Sequence, residues 1–274
     1  MEFKAFKMDG LGNDFVIIDQ RNNKVDLNND QILKICNRDF VGCDQLIYIN
    51  QSQFGDAELQ FFNSDGSSSG ACGNGTRCVA YLLSKETNKS EINLIVSSRE
   101  LKSKILNEHL VETIIGVPKT DWDEIPISKS IDTKNLGLEI KGKNNMKVQG
   151  GIAVNVGNPH VIFFVNDLND FELERIGPEL ENHELFPEKC NVTLAKKVTN
   201  NHYKIQVWER GAGLTKACGT AACATAVAAN LENLENTNTE IEFNLGKLLI
   251  TIDQEKNIIM KGPVSQIKEI KINI

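Results

Sequence analysis

Two short stretches of this sequence have the composition for acid–base chemistry, and they resemble each other. In each, a cysteine stands directly before a glycine and a predicted helix follows: Cys72-Gly73 and Cys218-Gly219. The first amide groups of a helix have no partner within it, and the helix dipole places partial positive charge there. A thiol at that position is stabilised as the thiolate, and the same amides can bind a carboxylate. The pattern predicts two thiols that exchange protons with a carboxylate-bearing substrate.

The spacing between these stretches recurs along the chain. The two cysteines are 218 − 72 = 146 residues apart. Three further pairs share an offset of 145 or 146: Gly12–Ile17 with Gly157–Ile162, Gln45 with Asn191, and Phe62–Gly66 with Trp208–Gly211. We infer an internal duplication of one long unit, too long for a solenoid repeat. We expect two similar domains that face each other across a pseudo-dyad, with the two thiols meeting at their interface.

The elements around these turns predict the fold class. The helix behind Cys218, residues 221–229, is small and apolar on every face, which is typical of a buried helix. Short apolar runs with strand character precede and follow both helices. We predict an α+β fold in which two pseudo-symmetric domains each wrap a mixed, β-barrel-like sheet around a central helix, with the active site at the interface. The Pro-containing, acidic stretch 117–126 is the best linker candidate, which gives domains 1–118 and 119–262.

Composition excludes several classes of protein. The 274 residues carry a net charge of −7, and no dense Lys/Arg stripe offers a nucleic-acid surface. The N-terminus lacks the features of a signal peptide, and no stretch approaches the roughly 18 apolar residues of a membrane helix, so we expect a cytoplasmic protein with no nucleic-acid or membrane partner. Seven cysteines, an odd number without C-x-x-C spacing, indicate reduced thiols rather than a disulfide framework or a zinc site. We predict packing roles for Cys36, Cys78 and Cys223, and mainly for Cys43 and Cys190.

Paired thiols suit one reaction well, the transfer of a proton on and off a carbon from both sides. One thiolate removes the α-hydrogen of an amino acid, and the other thiol protonates the opposite face, so that the stereocentre inverts. A thiolate is a better base than a carboxylate for so weak a carbon acid near neutral pH. The charge that develops on the substrate carboxylate would be stabilised by helix N-termini. In principle this chemistry needs neither metal nor cofactor.

One known family shares a series of motifs with this chain, in the same order and over its whole length. The motifs are Gly10–Phe15, Asp44-Gln45, Phe62–Gly66, Ala71–Gly75, Gly157–His160, His183–Glu188, Asn191, Glu209–Gly213 and Ala217–Gly219. With these, the chain resembles the diaminopimelate epimerases, which are cofactor-independent amino-acid epimerases. The resemblance implies an isomerase that interconverts LL- and meso-diaminopimelate in lysine and peptidoglycan biosynthesis. It also implies a homodimer, and a C-terminal strand, 263–274, that returns to the first domain.

The resemblance assigns a role to each candidate site residue. It implies that Cys72 and Cys218 are the acid/base pair, and that His160 and Glu209 orient or tune the thiols. The substrate-binding residues that it implies are Gly73, Asn74, Gly219 and Thr220 for the reacting carboxylate, Asn63 and Glu209 for the reacting amino group, and Asn13, Gln45, Asn158, Asn191 and Arg210 for the distal end. An arginine can grip a distal carboxylate in a bidentate way.

The sequence departs from the usual family pattern at a few positions, and other interpretations remain open. Asp9 stands where a histidine is common, Cys43 where an aromatic residue is common, and Thr220-Ala221-Ala222 replaces a Ser-Gly-Ala turn. Arg210 could instead form a structural ion pair with Glu209. The alternative functions are a proline or hydroxyproline racemase, a redox switch in which the two helix-start cysteines form a disulfide, and a non-catalytic amino-acid-binding protein.

Overall fold

A computed structural model describes residues 1–70, 72–231 and 237–274. Ala71, which belongs to the first cysteine stretch, lies outside the described residues. The chain divides into two compact units, one formed by Met1–Ile114 with Lys261–Ile274 and the other by Ile115–Met260. None of the helices in the described part of the chain combines the length and the apolar character needed to cross a bilayer.

The first unit is built from a curved succession of strands and two helices. Its helices are α1 (Asn29–Cys36) and α2 (Gly73–Thr87). Its strands are β1 (Glu2–Gly10), β2 (Asn13–Asp19), β3 (Gln45–Asn50), β4 (Ala57–Asn63), β5 (Ser68–Ser69), β6 (Glu91–Val96), β7 (Arg99–Asn107) and β8 (Leu110–Gly116), and the C-terminal strand Lys268–Asn273 pairs antiparallel with β1.

The core of the first unit forms around α2. The helix is buried continuously from Gly73 to Ser84, and Cys78 to Leu83 pack against strand residues such as Phe15 and Phe61. A Cβ added at Gly75 would lie 2.8 Å from both Ile47 Cδ1 and Phe61 Cε1. The absent side chain at Gly75 therefore lets the first turn of α2 lie directly against the sheet.

The second unit repeats this plan. Its helices are α3 (Leu173–Glu181) and α4 (Gly219–Ala229), with short 3-10 turns at Lys143–Asn145 and Leu168–Asp170. Its strands are β9 (Leu138–Lys141), β10 (Lys147–Gly150), β11 (Ile152–Asn155), β12 (Pro159–Val165), β13 (Asn191–Thr199), β14 (His202–Glu209), β15 (Gly213–Thr215), β16 (Thr237–Phe243), β17 (Gly246–Ile252) and the first half of β18 (Ile258–Pro263). The C-terminal strand of the first unit, Lys268–Asn273, is β19.

The strand pairings of the two units correspond one by one. The pairs β1–β2, β2–β3, β3–β4, β4–β6 and β6–β7 are antiparallel, parallel, antiparallel, parallel and antiparallel. The pairs β11–β12, β12–β13, β13–β14, β14–β16 and β16–β17 follow the same sequence. The predicted α+β class with two similar domains is confirmed, and α2 and α4 take equivalent places in the two pairing schemes.

The helix behind Cys218 and the stretch 117–126 differ in their burial. The prediction that this helix is buried on every face is confirmed, because Ala221 to Ala228 are all buried. Within the stretch 117–126, Ile125 is fully buried in the core of the second unit, whereas Val117 is 54% exposed. Ile125 therefore anchors this stretch to the second unit.

Candidate functional site

The two cysteines occupy the same structural position in their units. Cys72 is the N-cap of α2, with φ −137° and ψ 112°, and Cys218 is the N-cap of α4, with φ −133° and ψ 115°. In the described residues, no side chain caps either helix. The amide groups of Gly73 and Gly219 therefore begin helices whose first donors can serve an anion.

In the first unit, an asparagine lies against the Cys72 thiol. The Cys72 thiol donates to Asn13 Oδ1 over 3.4 Å, and Asn74 Nδ2 donates to the same oxygen over 3.3 Å. Asn13 begins β2 directly after Gly12, whose φ of +77° favours glycine. Asp44 Oδ2 accepts from Asn13 Nδ2 over 3.2 Å, so both ends of this amide are held.

A fully buried arginine fixes the orientation of Asn74. Arg77 is 0% exposed, and its Nη2 donates to Asn74 Oδ1 over 2.7 Å. Because guanidinium groups only donate, the oxygen of the amide must face Arg77 and the nitrogen must face Asn13. Sequence reasoning missed the role of Arg77, although a charged residue in the buried first turns of a helix is itself a signal.

The remaining polar candidates of this unit form a separate set of contacts. Gln45 Nε2 donates to Asn63 Oδ1 over 3.0 Å and to Ser69 Oγ over 3.3 Å. Gln45 and Asn63 are direct partners in the β3–β4 register. The Gln45 Oε1 atom is buried without a hydrogen-bond partner among the described residues, so this side chain keeps an acceptor for a ligand that donates hydrogen bonds.

In the second unit, Thr220 and Asn158 lie next to Cys218. Cys218 Sγ lies 3.3 Å from Thr220 Oγ1, and Asn158 Nδ2 donates to that hydroxyl over 3.5 Å. Asn158 follows Gly157, whose φ is +116°. Thr220 thus takes the place that Asn74 has in the first unit, because 220 − 74 = 146. The structure thus brings Cys218, Thr220 and Asn158 together, although the resemblance places Asn158 at the distal end of the substrate.

His160 is enclosed between Asn158 and Asn191. Its Nε2 lies 2.9 Å from Asn158 Oδ1 and 3.4 Å from Asn191 Nδ2. The shorter contact requires a proton on Nε2, and Asn191 Nδ2 donates instead to the Pro159 carbonyl over 3.0 Å. Burial and the nearby Arg210 charge lower the pKa of His160 to about 3. The imidazole is therefore neutral near pH 7 and acts by hydrogen bonding, not by charge.

Burial and the Glu209 carboxylate both raise the pKa of the Cys218 thiol. Burial is the main cause of a pKa of the Cys218 thiol well above the usual value, and the Glu209 carboxylate raises this pKa further. The Thr220 hydroxyl and the Ala221 amide lower it. A helix N-terminus stabilises a thiolate by up to about 2 kcal/mol. Full burial can raise the pKa of a thiol by up to about 5 units, which corresponds to about 7 kcal/mol against the thiolate. Burial therefore prevails over the expected helix-dipole effect, and Cys218 is a protonated thiol in this state.

The last candidate, Arg210, is exposed and held at its backbone. Asn191 Oδ1 accepts from the Arg210 amide over 3.0 Å, and Arg210 Nη1 donates to the Glu188 carbonyl over 2.7 Å. The guanidinium therefore retains donors for a carboxylate. Thr215, which donates to Glu209 Oε1, was missed by sequence reasoning. Its offset of 215 − 69 = 146 from Ser69 is the signal that could have found it.

Comparison with known proteins identifies the family of this chain. The sequence model of the family described as diaminopimelate epimerase matches residues 5–120 and 152–267, so that two separate segments of the chain are matched. A diaminopimelate epimerase of Pelagibacter ubique is 65% identical over 274 residues, which is 100% of both chains. A diaminopimelate epimerase of Acidiphilium cryptum is 41% identical over 96% of this chain and 94% of that protein. The solved structure of a predicted epimerase from Pseudomonas aeruginosa covers 99% of this chain and 100% of that one, with a TM-score of 0.70 at 13% identity, and shares the fold. The chain belongs to the diaminopimelate epimerase family.

Proposed function

We propose that this protein interconverts LL- and meso-diaminopimelate by a two-base proton transfer at the α-carbon. The observation that carries the proposal is the repeated placement of a cysteine at the start of a buried helix, with a polar side chain against each thiol, Asn13 in the first unit and Thr220 in the second. Membership of the diaminopimelate epimerase family supplies the substrate. The reaction serves lysine and peptidoglycan biosynthesis.

The two thiols divide the proton transfer between them. A thiolate removes the α-hydrogen as a proton, and the C–H electron pair moves toward the substrate carboxylate. The other thiol gives its proton to the opposite face of the carbon, which inverts the centre and leaves the two sulfur atoms with exchanged protonation states. Because burial raises the pKa of Cys218 and so favours its protonated thiol, we assign it the acid role and Cys72 the base role in the first turnover.

The reacting carboxylate needs donors where its negative charge grows. We assign this role to the helix-start residues Gly73 and Asn74 of α2 and Gly219 and Thr220 of α4, whose backbone amides are preorganised donors. Such donors cost no reorganisation when the charge develops, so they favour the transition state over the ground state. We assign Asn63 and Glu209 to the reacting amino group, because an amide oxygen and a carboxylate both accept from an ammonium.

The distal end of the substrate is a second zwitterion, and it requires separate recognition. We assign its carboxylate to Arg210, whose exposed guanidinium can bind in a bidentate way. The remaining contacts of the distal end we assign to amide side chains, which suit a zwitterion because they add no net charge: Asn13, Gln45, Asn158 and Asn191. Neutral His160 positions Asn158 through its Nε2 proton, and Glu209 tunes the Cys218 thiol. We further propose that the enzyme acts in the cytoplasm as a homodimer, without a cofactor.

Proton NMR in D₂O tests substrate, reaction and cofactor requirement together. The reduced protein is mixed with LL-diaminopimelate without any added cofactor. We expect the α-proton signal to disappear while the meso isomer accumulates. Absence of exchange, with the thiols titrated as reduced, would overturn the proposal, and exchange of proline instead would point to the racemase alternative.

A further inference from the structure

A second pair of cysteines lies in the first unit, away from the helix-start thiols. Cys36 is the last residue of α1, and the Cys43 thiol donates to Cys36 Sγ over 3.5 Å. Both side chains are buried, at 3% and 1% exposure. The sulfur atoms need to approach by only about 1.5 Å to reach disulfide bonding distance.

The backbone already brings the two residues together. Cys43 N donates to the Cys36 carbonyl over 3.2 Å, and Gly42 N donates to the Ile35 carbonyl over 3.0 Å. The chain between them thus turns back on the end of α1, helped by Gly42 with φ +74°. A disulfide would therefore close a short loop whose ends are already hydrogen-bonded, and it would require little backbone movement.

The surroundings differentiate the two thiols chemically. The hydrogen bond from Cys43, together with the nearby Arg38 charge, lowers the pKa of Cys36. The same hydrogen bond, with burial, raises the pKa of Cys43. A groove of about 440 Å³ is lined in part by Cys36, Cys43, Arg38 and Asp44, so the buried pair lies at the wall of a space that a small oxidant can enter. A thiol of lowered pKa beside a second thiol is the arrangement of an attacking and a resolving cysteine.

We propose that Cys36 and Cys43 are a reversible, peroxide-responsive dithiol, a modification site distinct from the acid–base cysteines. The Cys36 thiolate attacks hydrogen peroxide, which breaks the O–O bond and gives a sulfenic acid and hydroxide. The Cys43 thiol then displaces water from that sulfur to form the disulfide. Two thiols and one peroxide thereby give one disulfide and two waters, and a thiol reductant reverses the change.

Three hydrogen bonds in succession connect the loop closed by this disulfide with Cys72, by way of Asp44 and Asn13. Arg38, within the loop, donates to Asp14 Oδ2 over 2.7 Å and also to Asp44 Oδ1. Asp44, the next residue after Cys43, holds Asn13, which accepts from the Cys72 thiol. We expect disulfide formation to move Asp44 and to weaken substrate binding, a consequence that rests on the proposed function, whereas the disulfide itself does not.

Peptide mapping tests the modification independently of activity. The full chain is treated with one equivalent of hydrogen peroxide, alkylated, and digested with trypsin and Asp-N. These proteases release Ile35–Arg38 and Asp39–Cys43, each with a single cysteine. We expect these peptides to be linked, lighter by two hydrogen atoms than the separate reduced pair, and released by dithiothreitol. The linked fraction should exceed oxidation of buried Cys190 by about tenfold.

Two variants separate the roles of the thiols. Cys43→Ser removes the resolving thiol but keeps a hydrogen-bond donor for Cys36, and it should leave a sulfenic acid on Cys36 that dimedone traps, whereas Cys36→Ser should suppress oxidation of Cys43. Full alkylation of both cysteines after peroxide treatment, or oxidation no faster than that of Cys190, would overturn the proposal. For the consequence, peroxide treatment should raise KM several-fold in the wild type, with Cys72 and Cys218 still alkylatable, and should leave KM constant in Cys43→Ser. An unchanged KM in the linked protein would show that the disulfide does not affect substrate binding through Asn13, although the disulfide itself would still be demonstrated.

Discussion

The two cysteine turns have nearly the same backbone but different electrostatic surroundings. The N-cap dihedral angles of Cys72 and Cys218 agree within a few degrees. In the second turn of α2 lies the buried cation of Arg77, and Cys223 holds the equivalent position of α4, since 223 − 77 = 146. The two units have thus kept the same backbone conformation at the start of the helix, whereas the charged side chains near it differ.

The neighbouring strands show the same divergence. Phe15 pairs with Gln45 in the β2–β3 register, and His160 pairs with Asn191 in the β12–β13 register. Neutral Asn63 in the first unit corresponds to Glu209 in the second. The first unit therefore has a buried cation within its helix α2 and amides near its thiol, whereas the second has a carboxylate beside a buried thiol. The difference indicates that the backbone positions the thiols and the side chains set their protonation.

The largest expected effect comes from removing one thiol at a time. Cys72→Ser and Cys218→Ser should each lower epimerisation by about 10³-fold or more, since a positioned general base contributes on that order. Each variant should still exchange the α-hydrogen of one stereoisomer in D₂O without inversion, and the two variants should act on opposite isomers. Cys190→Ala is the matched control and should turn over at the wild-type rate. Exchange of the same isomer by both variants would contradict one thiol per face.

A second comparison concerns His160, which has no ionisable counterpart in the first unit. Because the unfolded chain binds a proton at this residue below about pH 6.5 and the folded chain only near pH 3, stability falls as pH falls through that window. The loss amounts to roughly 4–5 kcal/mol by pH 3. His160→Gln should remove this part of the slope in urea unfolding at a series of pH values, whereas His183→Gln should retain it. Parallel curves for wild type and His160→Gln would show that the residue is not held neutral.

The next prediction compares the stability effect of replacing Arg77 in α2 with that of replacing Cys223 at the equivalent position of α4. Arg77→Met keeps most of the volume but leaves Asn74 Oδ1 without its donor, which should lower the free energy of unfolding by about 2 kcal/mol. Cys223→Ala, at the equivalent position, should cost about 1 kcal/mol because only a small side chain is lost. Urea unfolding measures both. Equal losses would mean that the buried cation is not needed to hold the first turn of α2.

The smallest change should be at Glu209. Its carboxylate raises the pKa of Cys218, so Glu209→Gln should lower that pKa and speed alkylation of Cys218 near neutral pH. Peptide mass spectrometry after a timed iodoacetamide pulse gives the rate for each cysteine. Cys72, whose unit has Asn63 at the equivalent place, serves as the internal control. An unchanged rate at Cys218 would assign the raised pKa to burial alone.

The internal duplication and the buried helix behind Cys218 could be predicted from the sequence. The repeated offset indicated the duplication, because equivalent residues in two copies of a fold keep their spacing. The apolar composition of the helix behind Cys218 predicted its burial, since a helix without a polar face is buried in the core. Local patterns were sufficient for these features because each depends on residues that are near in sequence or repeated at one distance.

Only the tertiary structure decided which groups surround each thiol. Nothing local predicts that Arg77 is fully buried, that His160 is buried and neutral, or that burial prevails over the helix dipole at Cys218. Likewise, Cys36 was expected to fill the core, and Cys43 mainly so, and the turn of the chain after α1 placed their sulfur atoms 3.5 Å apart. Protonation depends on burial, and thiol pairing depends on how the chain turns, and the packing of the whole unit sets both. The sequence by itself therefore determined the duplicated fold and the residue types at the site, and tertiary packing decided the protonation states and the contacts of those residues.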